Sequence, residues 1–289
     1  MKVLAIGSTG LLGQAVTAEI RTRKWALVTA ARSGADWMLD IADPAALEAC
    51  LEEVRPDFLF NCAALTDFAK CEQDPGLAYR VNARPLAYMA RWSQQTGGRL
   101  VHVSTDHYFV AGGATPHRED DRVQLVNEYA RSKYAAEAFA LTAPRALVFR
   151  TSIVGMRGWE RLSLAEWAIQ SVLDNAPVGL FIDAYTSSID VGGFARAAID
   201  VALGPASGLF NLAANEVYSK AQFVQEIANQ LGRRLDNATL TQLSDQRPLR
   251  AGSLGLDVAR VQGLLKYSLP GLPRVVAAVL EEHARRTRG

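Results

Sequence analysis

Three glycines at three-residue spacing, Gly7, Gly10 and Gly13, follow directly on an apolar run at residues 3–6 and lead into a helically periodic segment that reaches Ile20. Strand, glycine turn and helix in that order make the first crossover of a dinucleotide-binding sheet. Each glycine has its own steric task. Gly7 permits a tight turn, Gly10 lets backbone approach a pyrophosphate, and Gly13 lets the helix pack close on the sheet. The helix N-terminus adds N–H donors and the positive end of its dipole. A strand-to-helix turn that binds nothing is the alternative, so the rest of the chain has to decide.

The pattern repeats downstream. Strand-like runs at residues 26–31, 37–39, 57–60, 99–103 and 146–150 alternate with helical stretches at 45–54, 75–96 and 128–141. This alternation predicts an α/β fold built on a Rossmann-type doubly wound parallel sheet. After residue 151 the alternation loosens. Helices are expected at 162–175, 191–203, between Ser219 and Gly232, and at 274–286, with short strands at 178–182 and 208–212. The expected organisation is a dinucleotide-binding domain over residues 1–152, rejoined by segments within about 178–212, and a smaller C-terminal α/β substrate lobe over 153–289.

Charge excludes several partners. With 31 basic and 30 acidic residues the net charge is +1, which gives no global attraction to nucleic acid or an anionic membrane. The apolar runs are too short to span a bilayer, and the chain opens straight into its first strand, so a cytoplasmic location is expected. Cys50, Cys62 and Cys71 form no CxxC pair and read as reduced thiols. His102, His107, His117 and His283 lack metal-site spacing, and no catalytic metal is expected.

The chemistry gathers at strand ends. After the second strand comes Arg32-Ser33, where an acidic residue would favour NAD through the ribose hydroxyls. Arg32 and Ser33 instead suit a 2′-phosphate, which points to NADP. A solvated Arg32, or an Arg32 stacked on adenine in an NAD enzyme, are the alternatives. The fourth strand ends in Asn61-Cys62-Ala63-Ala64, whose small residues let a ligand approach the sheet edge, and the fifth delivers Ser104-Thr105-Asp106. Tyr129 and Lys133, four apart on a helix, share one face. An isolated phenol titrates near ~10. A neighbouring ammonium stabilises the phenolate and suits the pair to move a proton to or from a carbonyl oxygen.

Taken in order, the glycine turn, Asn61-Cys62-Ala63-Ala64, Ser104-Thr105-Asp106 and Tyr129 through Lys133 resemble an extended short-chain dehydrogenase/reductase. Within that superfamily the chain is similar to the dTDP-4-dehydrorhamnose reductase branch of sugar-nucleotide 4-ketoreductases. Phe109, Asn127-Glu128, Ala136-Glu137, Arg150-Thr151-Ser152, residues 208–212, Arg247-Pro248 and Leu256-Asp257 carry that second likeness. The resemblance implies NADP(H), with NAD(H) as the second choice, along the carboxyl edge of the sheet. Its pyrophosphate would lie over Ser8, Thr9, Gly10, Leu11 and Leu12, its adenine between Asp40 and Ile41, and its nicotinamide beside Cys62, Ala63 and Ala64. Tyr129 would protonate the alkoxide formed at C4 of a keto-sugar, Lys133 would hold the nicotinamide ribose and tune Tyr129, and Thr105 would hold the carbonyl oxygen. Asp106 would take a sugar hydroxyl. Arg247 and Arg250, with Arg157 and Arg161 behind them, would meet the nucleoside diphosphate. The resemblance also favours a homodimer.

Departures from the branch fall on the substrate side. His107, Tyr108 and Val110 break the run after Ser104-Thr105-Asp106, and Ile153 stands where the branch carries an aromatic. A dehydratase would carry Asp-Glu at Asp106-His107, which argues against that chemistry. A nucleotide-sugar epimerase and a non-catalytic NADP-binding regulatory subunit stay open beside the reductase.

Overall fold

The computed structural model describes residues 1–110, 113–158, 162–242 and 252–287. β1 (Lys2–Ile6) enters the glycine turn and leaves it as α1 (Leu11–Thr22), which buries Leu12, Val16 and Ile20 at helical spacing. β2 (Ala26–Ala31), β3 (Trp37–Met38), α2 (Pro44–Val54) and β4 (Phe58–Asn61) follow. Asp43 caps α2 by accepting from the Ala45 and Ala46 N–H groups, and Pro44 sits in the first turn, where its missing N–H has no helical partner to lose.

One expected helix is two. Residues 75–96 split into α4 (Pro75–Asn82) and α5 (Arg84–Thr96), and a further helix, α3 (Phe68–Gln73), precedes them. Pro85 explains the split: it donates no N–H, and its ring clashes with the carbonyl four residues back, so one helix ends at Ala83 and another starts there. α3 has its own cap, the Asp67 carboxylate accepting from Lys70 N–H at 3.1 Å. β5 (Arg99–Val103), α6 (Glu128–Ala140) and β6 (Leu147–Arg150) come next. Beyond them lie β7 (Ile153–Val154), α7 (Leu164–Leu173), β8 (Val178–Phe181), β9 (Tyr185–Thr186), β10 (Ile189–Asp190), α8 (Val191–Leu203) and β11 (Gly208–Asn211).

The main sheet runs β11-β6-β5-β4-β1-β2-β3. The ladders from β6 through to β3 are parallel. Strand order reverses between β1 and β4, so the switch point of this doubly wound sheet lies where Gly7 and Cys62 leave their strands. Leu4, Ile6, Leu59, Leu100 and Val148 from the sheet pack with Leu47 and Leu51 of α2 and Leu86 and Met89 of α5.

The chain divides into two compact units that interleave in sequence. The first holds Met1–Thr105, Leu125–Arg150 and Ala195–Phe210; the second holds Asp106–Gln124, Thr151–Phe194 and Asn211–Gly289. Asp106–Gln124 leaves the main sheet and bonds within the second unit, where His117 bridges Leu256. Of the segments expected to rejoin the first unit, Ala195–Phe210 does so, whereas β8 pairs in parallel with β13 (Ala238–Thr241). The second unit also contains β12 (Tyr218–Ser219), α9 (Lys220–Gln230), β14 (Ser253–Leu254), α10 (Ala259–Gln262) and α11 (Leu272–Thr287). α9 opens on a capping box between Ser219 and Gln222. Ile169, Val172, Phe223, Ile227, Val275 and Val279 form that unit's core.

Candidate active site

Crowding at the glycine turn leaves no room for side chains at two of its three glycines. Gly7 has φ +77°, and a Cβ there would fall 2.6 Å from Ala63 N; one on Gly13 would fall 2.0 Å from Gly7 O. The strand end, the turn and the helix therefore touch backbone to backbone. Gly10 differs: a Cβ there would meet only Gly7 O, at 3.2 Å. Gly10 caps α1 without a side-chain hydrogen bond, so no side chain of the cap competes for the first-turn N–H groups near Leu11 and Leu12. Bare backbone, a helix N-terminus and space above Gly10 fit the pyrophosphate of a dinucleotide.

The end of β2 carries the features expected to choose the cofactor. Arg32 and Ser33 are exposed. Gly34 comes close enough to the turn that a Cβ on it would lie 3.6 Å from the Thr9 methyl. The nearest acidic side chain in sequence, Asp36, is turned back onto Thr29, accepting from its N–H at 2.9 Å and its hydroxyl at 2.7 Å. These bonds hold the Asp36 carboxyl below its ordinary range. Asp40 is exposed and bonds Ala42 N–H at 2.9 Å, while Ile41 is buried.

Helix α6 brings Tyr129 and Lys133 into the first unit's interior. Asn127 caps it, its side chain accepting from Ala130 N–H at 2.8 Å. Tyr129 packs on Phe68 with ring centroids 4.8 Å apart. Lys133 is 2% exposed, and its Nζ donates to Val103 O at 2.7 Å. Burial pushes its ammonium down to about 8 from 10.5, against the opposing pull of Glu137 and Cys62. The other near neighbour of Nζ is His102 Nε2, at 3.2 Å. The second ring nitrogen, Nδ1, lies 3.2 Å from the Asn61 side-chain nitrogen. Burial first, and Lys133 second, hold His102 neutral.

Two polar clamps position these groups. Ser104 donates its hydroxyl to Glu137 at 2.6 Å and its N–H to Phe149 O at 2.7 Å, which fixes the strand end just before Thr105. Asn82 accepts from Leu65 N–H at 2.7 Å and donates to Leu65 O at 3.1 Å and to Ser132 Oγ at 3.0 Å. Ser132 in turn donates to Tyr129 O at 2.9 Å. The loop after β4 and the first turn of α6 are thus tied together.

The expected substrate contacts lie elsewhere in the chain. Asp106, His107 and Ile153 belong to the second unit. Asp106 is buried and its N–H donates to Thr151 O at 3.2 Å; His107 Nε2 lies 3.8 Å from Asp106 Oδ1. Ile153 is half-buried in β7. Arg161, Arg247 and Arg250 lie outside the described residues.

Comparison with known proteins shows the family. Residues 1–253 match the model of the family described as the RmlD substrate binding domain. The chain belongs to this family. It is 29% identical to a probable low-salt glycan biosynthesis reductase, Agl14, of Haloferax volcanii, over 96% of this chain and 97% of that one. It is 38% identical to a dTDP-4-dehydrorhamnose reductase of Mycobacterium tuberculosis, a match that spans about half of either chain, 53% of this one and 50% of that one. Its fold is that of the dTDP-4-dehydrorhamnose reductase of Bacillus anthracis solved with NADP, at a TM-score of 0.87 and 20% identity over 97% of this chain and 99% of that one.

Within this RmlD-type chain, the partners that sequence reading missed are His102, Glu137 and Asn82. His102 is a polar residue inside an apolar strand, Leu100-Val101-His102-Val103. A strand residue flanked by buried apolar neighbours has to find a partner inside, and that was the available signal.

Proposed function

We propose that this protein reduces the 4-keto group of a nucleotide-activated 4-keto-6-deoxy sugar with NAD(P)H, NADPH being the preferred donor. The carrying observation is the Tyr129–Lys133 couple, buried on α6 in the same unit as the glycine turn, in a chain of the RmlD family. The names of the mycobacterial and bacillar relatives support the reaction, and the NADP held by the latter supports the cofactor.

When bound, the reduced nicotinamide supplies a hydride to the sugar's carbonyl carbon. The chain's own groups handle charge and protons. Thr105 orients the carbonyl oxygen. Tyr129 delivers its hydroxyl proton to that oxygen as negative charge develops there. The Lys133 ammonium stabilises the phenolate left behind. The Asn82–Ser132 clamp and the Phe68 ring hold the tyrosine in register. Gly7, Thr9, Gly10, Leu11, Leu12 and Gly13 form the pyrophosphate cradle, Arg32 and Ser33 the 2′-phosphate site, and Asp40 and Ile41 the adenine edge. Cys62, Ala63 and Ala64 border the nicotinamide. Asp106, His107, Ile153, Arg247 and Arg250 meet the sugar nucleotide.

A homodimer located in the cytoplasm completes the reading. Tyr79 on α4 and Tyr134 and Phe139 on α6 are large side chains left exposed on the first unit. Among the described residues no helix is long and apolar enough to cross a membrane. Sedimentation of the wild type beside a Tyr134→Glu/Phe139→Glu variant tests the dimer.

The function is tested by incubating the protein with NADPH and a panel of nucleotide 4-keto-6-deoxy sugars and identifying the products. One NADPH consumed per 4-hydroxy sugar formed supports the reductase. Interconversion of sugars without net NADPH loss indicates an epimerase. Cofactor binding without turnover on any sugar indicates a regulatory subunit.

A further inference from the structure

A buried chain of four polar groups joins the catalytic lysine to the backbone at the sheet's switch point. It runs from Lys133 Nζ to His102 Nε2 at 3.2 Å, from His102 Nδ1 to the Asn61 amide nitrogen at 3.2 Å, and from Asn61 Oδ1 to Ala63 N–H at 3.2 Å. His102 is 0% and Asn61 1% exposed, so the two side chains in the middle of the chain are sealed from bulk water.

The hydrogen count along this chain has two solutions. The Ala63 N–H can only donate, so it orients the Asn61 amide with Oδ1 toward it and Nδ2 toward His102. Nδ2 also can only donate, which makes Nδ1 of His102 the acceptor. A neutral imidazole then carries its proton on Nε2, aimed at Lys133. An N–H aimed at Nζ needs a lone pair there, and only a neutral amine has one. Lys133 in this arrangement is the uncharged amine, accepting from His102 and donating to Val103 O. The charged form reverses each step. An ammonium donates to Nε2, the imidazole proton moves to Nδ1, and the Asn61 amide turns so that Oδ1 accepts from it. Nδ2 then faces the Ala63 N–H, which has lost its acceptor.

We propose that His102 is a positioning residue whose tautomer, together with the Asn61 amide, follows the charge of Lys133, so that the Ala63 N–H is held by Asn61 when Lys133 is neutral and released toward the cofactor edge when Lys133 is charged. The proton balance is simple: Nζ gains one proton from solvent, and the imidazole keeps one proton throughout while its site changes from Nε2 to Nδ1. The role assigned to the released N–H rests on the proposed reductase; the coupled tautomer change does not.

The surroundings favour titration in an accessible range. The titratable groups around Nζ are Tyr129 and Glu137 on its own helix, His102 on β5 and Cys62 after β4, with Arg150 of β6 paired to Glu137. Burial lowers Lys133 to about 8 and raises the Cys62 thiol to about 12, so of this pair the lysine changes charge first as pH rises. His102 stays neutral across that change because burial pulls it well below its ordinary value.

The test is ring-nitrogen NMR of protein labelled with nitrogen-15 histidine, from about pH 6 to about pH 10, without cofactor or sugar. Below about 8 the His102 ring carries its proton on Nδ1, above it on Nε2, and the Ala63 amide proton shifts over the same step. Lys133→Met removes the step and leaves Nε2–H throughout. One unchanging tautomer in the wild type, or a step that persists in Lys133→Met, overturns the proposal. Should that variant not fold, an Ala63 amide that fails to co-titrate with His102 in the wild type overturns it equally. In the active enzyme, His102→Leu removes an acceptor from the ammonium and moves the alkaline limb of the rate profile to lower pH, while His102→Gln, whose amide oxygen accepts, restores part of it. A reductase that proves inactive on every sugar leaves the NMR result intact.

Discussion

Arg150 closes a two-point ion pair on Glu137, with Nη2–Oε2 at 2.8 Å and Nε–Oε1 at 3.0 Å, and both side chains are sealed from water. Glu137 Oε1 also accepts the Ser104 hydroxyl. A carboxylate from α6 therefore holds the ends of β5 and β6 side by side, directly before Thr105. Removing one partner leaves a charge buried without compensation. Glu137→Ala is expected to lose ~3–5 kcal/mol of stability in urea unfolding. A loss below about 1 kcal/mol, the range of a surface pair, would contradict the assigned role.

Gly10 and Gly13 are expected to separate binding from folding. Gly13→Ala drives a Cβ into the Gly7 carbonyl, contact that backbone has to relieve by moving. Overpacking of that kind costs about 1–3 kcal/mol and lowers the melting temperature. Gly10→Ala meets only the Gly7 carbonyl oxygen, at 3.2 Å, a contact that a shift of a few tenths of an ångström relieves, and its backbone angles are open to alanine, φ −74° and ψ 167°. It should melt near the wild type yet lose dinucleotide affinity by about tenfold or more, because its methyl enters the pyrophosphate's space. Equal affinity for NADPH in wild type and Gly10→Ala would remove the turn from the binding site.

Lys133 ties stability to pH in a defined direction. Its pKa is about 8 in the fold and 10.5 as an ordinary lysine. Between those values the unfolded chain holds a proton that the native chain lacks, so this group makes stability rise with pH. The buried thiols act oppositely above 9.0, since the fold raises Cys50 and Cys71 to about 11 and Cys62 to about 12. The difference in unfolding free energy between wild type and Lys133→Met isolates the lysine. It is expected to shift in favour of the wild type as pH rises from 8 toward 10.5, and a flat difference would show an unperturbed lysine.

Arg32 sets cofactor choice in this account. The Asp36 carboxylate is engaged by Thr29, and Arg32 and Ser33 are exposed directly after β2. Arg32→Ala is expected to weaken NADPH binding by about 1.5–3 kcal/mol, the worth of a charge-assisted hydrogen bond, with NADH binding almost unchanged. Isothermal titration with both cofactors reads the difference directly. Equal losses for the two would assign Arg32 to the adenine instead of the 2′-phosphate.

Local signals carried most of what the sequence disclosed. The Gly7–Gly13 spacing, the strand runs and the Tyr129–Lys133 interval are short-range patterns, and each is found on the element expected. Long-range partners were not legible. Nothing in the order of residues says that Lys133 meets His102, that Glu137 meets Arg150, or that Asn82 reaches Leu65 and Ser132. The interleaved units were hidden for the same reason: Val178–Phe181 reads as a strand whichever strand it pairs with, and only tertiary structure gives it β13. The break at Ala83 was legible in principle, since Pro85 cannot sit in a helix interior.

The central claim is a hydride delivered to a sugar's carbonyl carbon with Tyr129 closing the reaction by proton transfer. The most direct measurement uses NADPH deuterated at the transferring position of the nicotinamide, a nucleotide 4-keto-6-deoxy sugar, and mass and NMR analysis of the product from wild type and Tyr129→Phe. The account predicts one deuterium at C4 of the product for each NADPH oxidised, and a rate about 10²–10⁴-fold lower in Tyr129→Phe with NADPH still bound. Product without deuterium at C4, or full activity in Tyr129→Phe, would contradict it.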